Sequence, residues 1–516
     1  MAKTSDRGPT RPEAEAERGR AVCRDERLQR VRELLRTGRK VEALAEFERL
    51  FRGPDQVLPA PLAMEYARLL EANQRRVEAV LIWQQLVAAA HVPDIALDAL
   101  FNLARLRAEA GAWSSARDLY EKLLRLEPGH QEGLFNLANL FYRLNDTAAA
   151  RVCYRRLLAL APGHVGAWIN CGKACKTGGD YPLAEVCLRR ALELEPENVT
   201  AHWNLAHLLL AQGCFIEGWR EYEWRFRRPE AFIPEGLDQI PAWRGEDLTG
   251  RRLLLWSEQG AGDAIQFVRF VGRLPGPPAG VTLLAPENLC RLLGAVAGIN
   301  EVRPYSFLAE TLFAYDLQAS LLSLPFLLQL NRQEELAAAP YLRGADFTLP
   351  VNDRPVAGSG NPDSGKLNVG LVWAGNPFHA NDARRSLSPA ELVPLAGVEK
   401  VVFFSLQKAL AVTSGALSEL PFPVVDLASG FRDFADTAAC LHRLDLLITV
   451  DTASAHLAGA LGLPVWLLLP CEADWRWGLG GGKSYWYDSI RIFRQLAPGA
   501  WPEVLAEVAA ELGKMT

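Results

Sequence analysis

Residues able to do acid–base or charge chemistry gather behind a few apolar runs in the second half of the chain. Behind RRLLLW (251–256) comes SEQGAGDAIQF, where Gly260 and Gly262 permit a tight turn and Asp263 opens a helical stretch. Asp263 can cap that helix or, in a loop open to a second molecule, act as a general base. Behind LNVGLVW (367–373) come Gly375, Asn376, His379, Asn381, Asp382, Arg384 and Arg385, and VVFFSL (401–406) runs into Gln407 and Lys408. LDLLITV (444–450) ends at Asp451, Thr452, Ala453, Ser454, Ala455 and His456, which open the helical LAGALG. LPVWLLL (463–469) delivers Pro470 and CEADWRWG, whose Glu472, Asp474, Trp475, Arg476 and Trp477 suit a loop that stacks a base or sugar. Each loop alone is more often structural than functional. Four converging on one cleft favour a phosphate-bearing ligand, because a helix opened by Thr452 presents backbone N–H groups while Lys408, Arg384 and Arg385 add positive charge.

Other chemistries lack their residues. There is no G-x-x-x-x-G-K-[ST], no G-x-S-x-G elbow, and GLGGGK (478–483) does not lie between a strand and a helix as a P-loop would. An Asp-x-Asp pair, the usual metal–diphosphate clamp, is missing, and His379, His442 and His456 do not have metal-ligand spacing. The cysteines number nine, an odd count that suits a reducing compartment. Cys171 and Cys175 lie four apart on a predicted helix, with Cys187 on its partner helix, but without a second pair at a suitable spacing packing is expected rather than a metal.

These loops need strands to hold them. Together with VTLLA (281–285), the apolar runs read as buried parallel strands alternating with helices, an α/β architecture in which ligands bind beyond the strands' carboxyl ends. PVNDRPVAGSGNPDSGK (350–366) is a linker by composition, so two doubly wound lobes are expected, 251–349 on the acceptor side and 367–516 on the donor side. Residues 229–250 read as a linker with an entry hairpin, and Trp501–Met515 as an amphipathic helix packed outside or crossing back.

Before residue 229 the sequence repeats every 34 positions. Pro128, Pro162 and Pro196 mark the period, and Ala116, Ala150 and Ala184 are each followed four residues later by Tyr120, Tyr154 and Leu188. This is the skeleton of the tetratricopeptide repeat, with weaker copies at Ala43/Phe47, Ala79/Trp83 and Gly218/Tyr222. Residues 28–228 are therefore expected to form an α-solenoid, after a charged, disordered tail at 1–27. Asn102, Asn136, Asn170 and Asn204 recur at the same place in each period; such carboxamides either hold the backbone of an extended peptide or bond a neighbouring repeat.

Bulk composition assigns no partner. The 516 residues are 49% hydrophobic and 23% charged with a net charge of −5, which excludes collagen-like, coiled-coil and wholly disordered chains. This mild acidity argues against a nucleic-acid partner. No apolar run reaches a membrane span, the longest being Ala319–Leu330, and the amino-terminus carries no signal-like apolar region, so a cytoplasmic protein is expected.

GWREYEWRF (218–226), SEQGAGDAIQFVRF (257–270), GLVWAGNPFHANDARRSL (370–387), FFSLQK (403–408), VDTASAHLAGALGLPVW (450–466) and DWRWG (474–478) carry a resemblance. The chain from 28 onward resembles bacterial tetratricopeptide-repeat proteins fused to a GT-B glycosyltransferase. Its catalytic part is similar to the heptosyltransferase family (family 9), and its domain arrangement resembles the O-GlcNAc transferases. The resemblance implies inverting, metal-independent transfer of a sugar from a nucleotide-sugar to an acceptor hydroxyl, with no cofactor. Asp263 is the implied general base. Asp451, Thr452 and His456 are implied at the donor, where the reading of the strand-end loops adds Asn376, Arg384, Arg385, Gln407, Lys408 and Trp475; the resemblance to O-GlcNAc transferases implies that Asn102, Asn136, Asn170 and Asn204 hold an acceptor protein, with flagellin or another surface protein the first to try by analogy. Where those enzymes carry glycine after the Asp-Thr pair, this chain has Ala453. Two other readings are a repeat scaffold with an inactive transferase-like domain and a transferase acting on a small glycan or lipid.

Overall fold

The computed structural model describes residues 26–51, 58–89, 92–310, 314–337, 340–343, 347, 365–379, 381–408 and 417–516. Most of the expected tail and most of the 350–366 linker lie outside them. Backbone contacts divide the chain into two compact units, Met1–Cys187 and Leu188–Thr516.

The first unit is a succession of helix pairs: Ala60–Ala72 with Arg76–Ala89, Pro93–Glu109 with Trp113–Leu126, and Gln131–Arg143 with Thr147–Leu160, followed by Val165–Thr177 and the helix that starts at Tyr181. The 34-residue period is visible in the turns. Gly111, Asn145 and Gly179 have left-handed backbone at φ 76°, 64° and 78°, a conformation glycine adopts freely and asparagine tolerates. The small column Ala116, Ala150 and Ala184 is fully buried, letting paired helices close on each other, with Tyr120 and Tyr154 sealed one turn later. His130 and His164 cap the next helices, their Nδ1 atoms accepting from the N–H groups of Gly133 and Ala167 at 3.0 and 3.1 Å.

The second unit opens with one more helix pair, Val199–Ala211 and Phe215–Tyr222, turned at Gly213 with φ 79°. Its sheets are all parallel. The first has order β3-β2-β1-β4, with β1 Arg252–Trp256, β2 Gly280–Leu284, β3 Glu301–Arg303 and β4 Leu317–Ser320. The second has order β10-β9-β8-β5-β6-β7, with β5 Leu367–Val372, β6 Val401–Ser405, β7 Val424–Asp426, β8 Leu446–Val450, β9 Val465–Leu469 and β10 Ile490–Arg494. The six apolar runs thus occupy β1, β2, β5, β6, β8 and β9. The run 319–330 is the end of β4 followed by helical turns, and no described helix is long and apolar enough to cross a membrane.

One expectation is corrected and one open alternative is decided. In place of an entry hairpin before β1, Ala242 makes a single parallel bridge to Gln318, and the Trp243 N–H donates to the Gln318 carbonyl at 2.8 Å. The final helix, Trp501–Gly513, does not cross to the first sheet. It buries Trp501, Val504, Leu505, Val508 and Leu512 in one cluster with residues of β5, β6, β8, β9 and β10.

The last helix pair belongs to the α/β core. Ala206, Leu210, Trp219 and Tyr222 share one buried cluster with Phe267 and Trp475, and the Trp219 ring lies 6.1 Å from Phe267 and 5.5 Å from Trp475, both edge to face. Beyond it, the buried Arg225 donates to Glu258 at 2.8 and 3.0 Å and to Ser323 at 2.7 Å, tying the end of the helices to the loops after β1 and β4.

Candidate functional site

One cavity of about 860 Å³ collects the ends of β1, β5, β6, β8 and β9 together with Trp203, His207 and Tyr222 of the last helix pair. From the first sheet comes the helix Ala261–Phe267. Asp263 turns back on its own helix start, Oδ2 accepting from the Gly260 N–H at 2.9 Å, and Oδ1 accepts from the Arg476 guanidinium. Burial pushes the Asp263 carboxyl above the usual aspartate range, opposed by Arg476 and the Gly260 N–H. Arg476 also donates to Asp474 at 2.9 Å and to Gln266 at 2.9 Å, so one buried guanidinium joins the two sheets at the mouth of the cavity.

Gly262 sets the spacing between the sheets' leading helices. A Cβ there would stand 2.8 Å from His456 Cδ2 and 3.4 Å from the Ala453 Cα, so the helix Ala453–Ala460 approaches over a glycine. At the start of that helix Thr452 makes no capping bond; its hydroxyl lies 3.2 Å from the Thr449 hydroxyl. The capping role open to Thr452 is thus not taken up, and the first amides of the helix border the cavity together with Ser454. His456 is buried, with Nδ1 3.1 Å from the Tyr487 hydroxyl and its ring stacked 5.1 Å from Trp477. Burial, with help from Arg476 and Arg269, holds it down to about 3, so it is neutral at physiological pH. Burial and the nearby Asp474 raise Asp451.

The charged side chains differ in how free they are. Arg385 is 15% exposed and donates to the Asp451 carbonyl at 2.8 Å and to Asp382 at 3.2 Å, fixing the turn after β8. Gly375 makes room for it: a Cβ there would lie 2.5 Å from Arg385 Nη2. Arg384 pairs with Glu472 at 2.9 Å, Lys408 is exposed and donates to the Phe431 carbonyl at 3.1 Å, and Asn376 accepts from the Phe378 N–H at 3.1 Å. Gln407 lines the cavity, but its carboxamide is consumed by backbone, accepting from Trp373 and Ala374 at 3.1 and 2.9 Å and donating to Ala374 at 3.0 Å. It positions the loop after β5.

Trp475 is the clear correction. It is 2% exposed and packs on Trp219, Tyr222 and Trp486, and it is not among the cavity's lining residues. The aromatic rings that do line the cavity include Trp203 and Tyr222, stacked 5.3 Å apart, with Phe431, Phe434 and the exposed Phe378. Gln259, not singled out from sequence, holds a left-handed backbone at φ 61° and donates to the Tyr222 hydroxyl at 3.0 Å. Tyr222 stands at the periodic position of Tyr120 and Tyr154, and Trp203 at that of Phe101 and Phe135.

The asparagines are half-buried and used internally. Asn102 and Asn204 donate to carbonyls one turn back, at 2.9 Å to Asp98 and 2.7 Å to Thr200. Asn170 donates to Asn139 of the preceding helix pair at 2.9 Å, and Asn136 stands beside the Tyr120 hydroxyl and favours its charged form. Bonding of a neighbouring repeat, left open from sequence, is therefore realised at Asn170.

Comparison with known proteins locates the repeats. A tetratricopeptide-repeat family matches residues 107–169 and a TPR-repeat family matches 172–213. Protein FlbA of Caulobacter vibrioides is 29% identical over 339 residues, covering 60% of this chain and 54% of FlbA, so the chain spans about half the length of the curated relative it matches. Among solved structures, a tetratricopeptide repeat protein of Parabacteroides merdae is similar at 20% identity with a TM-score of 0.35, covering 40% of this chain and 80% of that one. The protein MamA is similar at 14% identity with a TM-score of 0.29, covering 31% and 91%. The helix pairs before the parallel sheets include tetratricopeptide repeats, the class of repeat that binds peptide and protein partners.

Proposed function

We propose that the two parallel sheets are the lobes of a GT-B glycosyltransferase that moves a sugar from a nucleotide-sugar to an acceptor hydroxyl in an inverting, metal-independent step. The observation that carries this reading is the meeting, in one cavity, of a half-buried carboxylate from the first sheet with an uncapped helix start and basic side chains from the second. The diphosphate of a donor would lie against the amides opened at Thr452, with Lys408 and Arg384 supplying mobile charge and Arg385 fixing the turn. As the acceptor oxygen attacks the anomeric carbon, Asp263 takes the hydroxyl proton, and the bond to the diphosphate breaks with its electron pair leaving on phosphate. A single displacement inverts the anomeric centre. His456, neutral and held between Tyr487 and Gly262, shapes the wall and transfers no proton in this scheme. The acceptor in this reading is a protein engaged by the repeats.

The ion pair between Arg476 and Asp263 favours one other reading, a repeat scaffold whose transferase-like part does no chemistry, because it occupies the carboxylate expected to act as base. Incubation with a panel of nucleotide-sugars, followed by mass spectrometry of sugar and acceptor, separates the two. The transferase consumes a donor and Asp263→Asn does not, whereas a scaffold leaves every donor intact.

A further inference from the structure

Folding brings together three cysteines that the sequence spaces unevenly. Cys171 and Cys175 share one face of the helix Val165–Thr177, and Cys187 comes from the helix that follows the turn at Gly179. Their sulphurs lie within 4.8 Å of one another, and the side chains are 2%, 0% and 1% exposed. The four-residue pair thus gains its third sulphur from the facing helix.

Packing alone does not account for the choice of residue. At the periodic position of Cys171 the other repeats place Leu103, Leu137 and Leu205, each buried, and at that of Cys175 two of them place Phe141 and Leu209. This repeat therefore gives up side-chain volume at one fully buried column, and at a second relative to the half-buried Phe141 and the buried Leu209, which costs stability unless something else fills the space. A thiophilic ion would. Metal–sulphur bonds of about 2.3 Å in a trigonal plane put the sulphurs ~4 Å apart, under 1 Å closer than the upper bound set here. Structural zinc takes four ligands, and among the described residues no fourth histidine, cysteine or carboxylate joins the group. Three buried thiolates with no oxygen or nitrogen donor suit a soft monovalent ion instead. Arg151 favours the charged form of Cys175, while its partner Asp180 at 2.6 Å opposes it, so this ion pair adds no net charge beside the trio.

We propose that Cys171, Cys175 and Cys187 form a three-thiolate site for a soft monovalent metal ion of the Cu(I) class inside the repeat array. The site is independent of the cavity chemistry. The test is an anaerobic titration of the full, reduced chain with Cu(I) in competition with a chromophoric Cu(I) chelator, with total Cu(I) and Zn(II) binding measured in parallel. The wild-type chain should withhold one Cu(I) per molecule. Cys171→Leu restores the residue of the other repeats, so it should keep full helicity and withhold none, while Cys153→Ala, a buried cysteine outside the trio, should still withhold one. Complete loss of copper to the chelator by the wild-type chain, undiminished retention by Cys171→Leu, or displacement of the bound copper by equimolar Zn(II) would overturn the assignment.

Discussion

Arg476 and Asp263, 213 residues apart in sequence, meet as an ion pair at the junction of the two parallel sheets. If Asp263 is the general base, its pKa sets the acid limb of activity, because only the deprotonated carboxylate can take the acceptor proton. Burial raises that pKa and Arg476 pulls it back. Asp263→Asn should lower transfer by at least about 100-fold while nucleotide-sugar binding persists. Arg476→Gln should move the acid limb of kcat/KM to higher pH, since the larger of the two stabilisers of the charged form is gone and only the Gly260 N–H remains. A pH–rate profile checks this, and an unmoved limb would show that Arg476 holds the sheets together without tuning the base.

Lys408 and Gln407 are neighbours with opposite duties, so the same truncation should split their effects. Lys408 is exposed and holds one carbonyl, hence Lys408→Met should weaken nucleoside diphosphate binding by on the order of ten-fold with no change in Tm. Gln407 closes three hydrogen bonds to the loop after β5, so Gln407→Leu should lower Tm and leave buried amides unpaired. Calorimetric titration alongside thermal melts distinguishes them, and a matched loss of Tm in both variants would count against a free lysine.

Much of this arrangement was legible in the residue pattern. Periodicity located the helix pairs, because a core alanine and its following aromatic must recur wherever two helices close, and continuous apolar runs located the buried strands. The short strands β3, β4 and β7 escaped, being three or four residues long, and β10 escaped because IRIFR alternates around two arginines. Loop roles were harder. DWRWG reads the same whether its tryptophan faces a ligand or a core, and only the tertiary packing of Trp219 and Tyr222 against it decides for the core. Gln259, Trp203 and Tyr222 gave no local signal of their part in the cavity, since each reaches it through a contact distant in sequence; Arg476 was read with its loop, but its pairing with Asp263 was not.

Gly262 governs how closely the leading helices of the two sheets approach. Gly262→Ala forces a methyl to within 2.8 Å of the buried His456 ring. The expected cost is about 1–3 kcal/mol of stability, with a larger fractional loss of kcat than of donor affinity, because the carboxylate is displaced from the diphosphate site. Adding His456→Ala should return much of the stability. A double-mutant cycle measures the coupling, and additive effects would mean that the methyl is accommodated elsewhere.

Asp436 makes the contact between helices Glu287–Leu293 and Phe434–Leu441 pH-dependent. Its side chain is fully covered; against the cost of burial, Arg432 and Arg291 lower it from 3.8 to about 2. A depressed carboxyl contributes stability that is present above pH 3.8 and lost as pH falls towards 2. Both arginines reach solvent, so screening reduces the contribution to on the order of 1 kcal/mol. Asp436→Asn should therefore be less stable than the wild type at pH 6 and converge with it near pH 2 in denaturant titrations; a constant gap across that range would remove the charge from the explanation.

The division of the chain at Cys187 dictates how the role of the repeats has to be tested. A cut at the end of the repeat pattern, leaving residues 229–516, strips Trp219 and Tyr222 from the core and leaves Glu258 buried without Arg225. Loss of a buried tryptophan alone costs about 3–5 kcal/mol, and a buried charge without its partner a similar amount, against a total of about 5–15 kcal/mol for a typical fold. The 229–516 fragment should not fold, and its inactivity would say nothing about acceptor binding. A fragment beginning at Leu188 keeps the last helix pair and should melt cooperatively. If the preceding repeats serve to hold an acceptor protein, the 188–516 fragment should consume donor on a minimal hydroxyl acceptor at the full-chain rate and lose transfer to the protein acceptor. Equal rates on both acceptors would assign those repeats to assembly instead.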